Sequence, residues 1–197
     1  MKLRSPHIIA LLGLLALNAL ALEKDKLTGL HGLDSFVAAK QLQPGERIIG
    51  MVGFYGQDQP QQWFVLTDNP AKGSALRETV VAQGKILAER KFRRLPGQDL
   101  PTIPLIREKL KIDSTRAFEL ANREADANKV GFESVHYQLR CRDIRDEPVW
   151  MLNLLDESHA SVGVVYISAE TGNLLRVTWL KAPAESFTTT PQAERNG

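Results

Sequence analysis

The sequence predicts an α+β protein made of two tandem units, each a helix packed on a four-stranded antiparallel sheet. Three observations carry that expectation. A tryptophan-led apolar segment occurs twice, as Trp63-Phe64-Val65-Leu66-Thr67-Asp68 and as Trp150-Met151-Leu152-Asn153-Leu154-Leu155-Asp156. Each is followed by a strand-like run that closes on a glycine turn: Thr79-Val80-Val81-Ala82-Gln83-Gly84-Lys85-Ile86-Leu87, then Val165-Tyr166-Ile167-Ser168-Ala169-Glu170-Thr171-Gly172-Asn173-Leu174-Leu175. The interval from Trp63 to Trp150 matches that from Gly84 to Gly172 to within one residue, and it is longer than a solenoid repeat, so it describes one small unit duplicated.

In the first unit, Asp34 or Ser35 can cap a short helix carrying Phe36, Val37 and Leu42, which Pro44-Gly45 ends. Strands are predicted over 48–55, 63–67, 76–82 and 86–92. Gln83-Gly84 makes the tight reversal between the last two, because glycine tolerates positive φ. Residues 93–112 contain Pro96, Pro101, Pro104 and Gly97. Proline fixes φ and lacks a backbone donor, so this stretch reads as a linker.

The second unit begins with Asp113 or Ser114 capping a helix that runs to about Asn128. Ala117, Leu120, Ala121 and Ala125 fall on one stripe, and Arg116, Glu119, Arg123 and Asp126 fall away from it. Strands are predicted over 134–143, 149–155, 161–168 and 174–179. In the first of these, Val135, Tyr137, Leu139 and Cys141 share one parity, and His136, Gln138, Arg140 and Arg142 the other. The single cysteine therefore reads as a small buried hydrophobe. Trp63 and Trp150 occupy equivalent places and read as duplicated packing between helix and sheet.

The N-terminus predicts a compartment. Lys2 and Arg4 precede an apolar run over 8–21; Ala19-Leu20-Ala21 and the polar Glu23-Lys24-Asp25-Lys26 follow. That order is a secretory signal peptide with its cut after Ala21. The run is shorter than the ~18–20 residues a spanning helix needs. The mature protein is thus expected in the periplasm or outside the cell, with no stable membrane span. Without Lys2 and Arg4, the 25 basic residues fall level with the 23 acidic ones, which argues against a nucleic-acid partner. Arg90-Lys91-Phe92-Arg93-Arg94 reads as a solvated strand end. The polar tail, 181–197, contains Pro183 and Pro191 and reads as disordered.

No residue set predicts catalysis. His31, His136 and His159 lack metal-ligand spacing, Ser74 and Ser161 lack a nucleophile elbow, and Asp143, Asp146, Glu147, Asp156 and Glu157 fall in predicted turns. No catalytic, cofactor-binding or metal residue is assigned, and the protein is not expected to be an enzyme.

The second unit resembles a PepSY domain. The resemblance rests on the stripe of Ala117, Ala121 and Ala125, on Trp150-Met151-Leu152 opening the middle strand, and on the run Val165 to Leu175 around its Thr171-Gly172 turn. Ser168 stands where that family commonly has aspartate. The first unit keeps only Gly84-Lys85-Ile86-Leu87, without the threonine before the glycine. The chain then divides into a signal peptide (1–21), a degenerate first PepSY-like unit (22–92), a proline-containing linker (93–112), a second PepSY-like unit (113–180) and a disordered tail (181–197).

PepSY domains are similar to a module in the propeptides of thermolysin-like secreted peptidases, and they occur in exported bacterial proteins. The resemblance implies an exported, non-catalytic binding or regulatory protein. It would modulate or inhibit an envelope or secreted peptidase, or bind another envelope protein, through its sheet surfaces. The side chains expected to tune recognition are Tyr55, His136, Arg140 and Arg142. Two alternatives are a structural envelope protein that self-associates and a hydrolase with its site between the two units.

Overall fold

The computed structural model describes residues 28–39, 42–142 and 146–180. The expected signal peptide and the expected disordered tail lie outside the described residues.

Helix α1 spans Gly29–Ala38, and the Thr28 hydroxyl caps it by accepting the His31 N–H. It starts earlier than the cap predicted at Asp34 or Ser35. Its buried stripe is Gly29, Gly32, Leu33 and Phe36, whereas Val37 is 45% exposed and Leu42 37%. Glycine is a poor helix former, which hides this start from a propensity reading. Packing supplies the reason for it. A Cβ on Gly29 would lie 2.7 Å from Trp150 Cη2, and one on Gly32 would lie 3.0 Å from Trp63 Cδ1. The two glycines let α1 lie directly on both tryptophans.

The strands are β1 (Arg47–Gly56), β2 (Trp63–Asp68), β3 (Ala75–Ala82), β4 (Lys85–Arg93), β5 (Ser134–Cys141), β6 (Pro148–Leu155), β7 (Ser161–Ser168) and β8 (Leu174–Trp179). Helix α2, Ser114–Ala127, precedes β5 and is capped by Asp113. Each strand lies close to its predicted bounds. Gln83 and Gly84 both have positive φ (49° and 72°), as a two-residue type I′ hairpin requires.

The arrangement of these strands corrects the expected fold. The protein does not contain two helix-on-four-strand units. All eight strands form one antiparallel sheet in the order β4-β3-β2-β1-β5-β6-β7-β8. The seam is the β1–β5 pair, with Gly50 opposite Arg140, Met51 opposite Leu139 and Gly53 opposite Tyr137. As separate sheets, β1 and β5 would each present an open edge of unpaired backbone; joining them removes both edges. It also brings Trp63, Tyr137 and Trp150 together, with ring centroids 5.6–6.3 Å apart, in a single core. The core reading of the two tryptophans holds, but they pack against each other rather than in separate units.

Both helices lie on one face. Ala117, Ala121 and Ala125 of α2 are fully buried, and the helices join at their starts. There the Gly29 N–H donates to Ser114 Oγ and the Leu30 N–H to Asp113 Oδ1, each at 2.8 Å. Two polar groups of the core are satisfied by backbone carbonyls: Trp150 Nε1 donates to Ile112 and Tyr137 Oη to Asp58.

The proline-containing stretch is strapped across the end of the sheet. Pro101 is buried against Gly50, where a Cβ would lie 3.1 Å from its ring. The Leu105 N–H donates to Ile48 O, and Arg94 donates to the carbonyls of Leu100 and Pro101. Cys141 is buried beneath it, its thiol donating to Pro104 O at 3.4 Å. Burial, with Asp146 adding to it, pushes that thiol's pKa up, as expected of an inert core cysteine.

Candidate functional site: the helix-free face

Because strand side chains alternate, the residues between the core positions point away from the helices. Across the sheet they form a continuous row: Ala88, Val80, Phe64, Val52, Gln138, Met151, Tyr166 and Arg176. The β1–β4 side of this face is mainly apolar, broken by the Glu78–Arg90 ion pair at 2.7 Å. Phe54 lies beside Phe64, with centroids 5.5 Å apart, and Leu66 and Phe92 continue the patch. The β5–β8 side is polar, carrying His136, Gln138, Arg140 and Tyr166.

At one end the two sides meet in a cluster of rings. The His136 imidazole touches Phe54 at 5.2 Å and Tyr55 at 4.4 Å, and Tyr55 touches His159 at 4.9 Å. Strict alternation from Met51 would turn Tyr55 toward the helices. A register shift between Gly53 and Gly56, with φ 53° at Tyr55, re-aims it onto the open side. His159, in the β6–β7 turn, also has positive φ, 62°. Conformations of this kind cost about 1–3 kcal/mol per residue and collect at functional sites. His136 Nε2 is buried without a hydrogen-bond partner. Burial of the ring, then the charge of His159, holds its pKa below the usual 6.5.

Two hollows adjoin the cluster. A cleft of about 510 Å³ is lined by Phe54, Tyr55, Gln61, Gln62 and Phe64. A smaller cavity of about 220 Å³ lies between Val52, Phe64, Leu66 and the strap residues Leu100 and Pro101. Another cleft of about 510 Å³, near Phe132, is bordered by the turn after β6. Asp156 there already accepts the Ser158 and Ala160 N–H groups and the Ser158 hydroxyl.

The four side chains singled out in the sequence all lie toward the helix-free side, but not in one site. Tyr55 and His136 are in contact. Arg140 is held by a bidentate pair with Asp99 at 3.0–3.1 Å. Arg142 sits 5.9 Å from the Tyr166 ring, which Arg176 also approaches at 6.0 Å. Sequence reasoning missed Phe54, Phe64 and Tyr166, although their parity opposite Met51, Val65 and Val165 was readable. For His159 no sequence signal existed, since only the folded turn brings it to Tyr55. Among the described residues, no three His, Cys, Asp or Glu side chains gather where they could hold a metal ion, and no helix is long and apolar enough to cross a membrane.

No family model matches the chain, and no curated protein sequence matches it. Among solved structures, the fold is similar to that of a candidate lipoprotein from Clostridium difficile 630. The TM-score is 0.53 at 14% identity, over 78% of this chain and 93% of that one. At that identity the likeness concerns the fold alone.

Proposed function

We propose that this is an exported, non-catalytic protein that binds a segment of a protein partner on the helix-free face of its sheet, and that the partner is an envelope or secreted peptidase. The observation that carries the reading is the ring cluster beside the cleft, where Phe54 is 45% exposed and Tyr55 58%. Burying the half of one such side chain that remains exposed contributes about 1 kcal/mol. Exposed aromatic groups with a polar border are what a docking surface requires. The PepSY resemblance of 113–180 supports a peptidase as partner. The signal-like order of residues 1–26 supports export, and so does the description of the Clostridium difficile protein as a candidate lipoprotein.

Site-specific photo-crosslinking tests the reading. A crosslinker at position 54 is expected to capture a peptidase, whereas one at Thr115, exposed on α2, is not. Phe54→Ala with Tyr55→Ala should then abolish the effect on that peptidase's activity while thermal unfolding stays cooperative. Equal capture at both positions, or unchanged modulation by the double variant, would count against it. Cell fractionation and N-terminal sequencing of the exported protein, with Leu22 expected as the first residue, test the compartment.

A further inference from the structure

The sheet has two edges, and they are built differently. β4 carries Lys85, Glu89, Arg90, Lys91 and Arg93. Charge of this kind discourages further strand pairing. β8 has a single charged residue, Arg176, among Leu174, Leu175, Val177, Thr178 and Trp179. Among the described residues, no strand lies beyond it. On the helix side it leaves an apolar rim: Val177 is half-buried, and Trp179 covers Gly163, where a Cβ would lie 2.3 Å from the indole.

The backbone fixes what this edge can accept. The Leu180 N–H donates to Val162 O at 3.0 Å, and Thr178 and Arg176 pair with Val164 and Tyr166. Alternation therefore turns the N–H and C=O of Val177 and Trp179 outward. We propose that β8 is a dimer interface, occupied by β8 of a second copy of this chain around a two-fold axis normal to the sheet. With the axis at Val177, the two Val177 residues exchange both of their hydrogen bonds, and Trp179 of each copy faces Leu175 of the other. Arg176 lies opposite Thr178, so no like charges meet. An axis at Arg176 would also keep the outward donors in register, but it would set the two guanidiniums directly against each other. Self-complementarity about one axis is what an isologous interface requires. The proposal is independent of the helix-free face and keeps both copies' helices on the same side.

Sedimentation velocity of the purified protein across a wide concentration range provides the test. A monomer–dimer equilibrium is expected. Val177→Lys puts two ammonium groups against each other at the axis and should weaken dimerisation roughly tenfold or more. Thr178→Glu places a carboxylate opposite each Arg176 and should tighten it roughly threefold to tenfold, a gain that simple damage to the fold would not give. A protein that stays monomeric throughout overturns the proposal, as does a dimer insensitive to both variants. A chain ending at Leu180 that dimerises when the full chain does not would also overturn it, by assigning the edge to residues 181–197.

Discussion

Over β6, helix α2 lays Ala117, Ala121 and Ala125 flat on the sheet, and that part of the layer is apolar. Over β1–β4 the shorter α1 leaves the Asp68 end of the sheet uncovered, and a polar network fills the space. Arg77 and Glu46 form its centre, 4% and 7% exposed. Arg77 also donates to Glu89 at 2.8 Å, Thr67 Oγ1 donates to Glu46 at 2.8 Å, and the guanidinium lies 5.8 Å from the Phe36 ring. The contrast shows two ways of closing one core. Where a helix is long enough, small residues suffice. Where it is not, charged groups enter and must be fully partnered.

The largest expected effect breaks the polar side. Arg77→Ala strands the Glu46 carboxylate and should cost about 3–5 kcal/mol in denaturant unfolding, whereas pairing Arg77→Met with Glu46→Leu should recover most of that loss. The same group gives an acid signature. Burial would raise the Glu46 pKa, but hydrogen bonds from Arg77, the Gln43 N–H and Thr67 outweigh it and hold it below 4.5. Its contribution to stability is therefore complete above pH 4.5 and is lost as the pH falls through the lower folded value. Unfolding midpoints measured on either side of pH 4.5 should show that drop in the parent protein.

The apolar side should respond to volume. Ala121→Leu has no room between α2 and the sheet and should cost about 1–3 kcal/mol, a loss relative to the parent protein that stays the same across pH. The smallest effect lies on the opposite face. His136 titrates below 6.5 in the folded protein, so the unfolded chain takes up its proton first. Stability is complete above pH 6.5 and declines as the pH falls through the folded value. His136→Phe should remove that slope without affecting the one near pH 4.5.

The strands were legible because their alternation is local: β7 and β8 have the predicted bounds, and the parity of Tyr137 and Leu139 is the observed one. What could not be read was the partner of β1. Gly50, Gly53 and Gly56 suggest a loosened strand, whereas in the folded protein they admit Pro101, Pro60 and the backbone of Gln59. That role depends on residues distant in sequence. The start of α1 was missed for the same reason, because its glycines make sense only against Trp63 and Trp150. On the candidate site, Tyr55 and His136 were picked out individually. Their contact depends on the register shift in β1, a feature that hydrophobic periodicity does not encode.

Pairing of Gly50 with Arg140 also has a kinetic meaning. The middle of the sheet cannot zip until the chain has been made as far as β5, and α1 has no complete floor until Trp150 arrives. The early portion of the polypeptide must therefore wait, with Met51 and Trp63 unprotected, for segments synthesised much later. Such long-range closure slows folding and lengthens the time during which aggregation competes. A chain interrupted before β5 should be a ward of chaperones rather than a stable fragment.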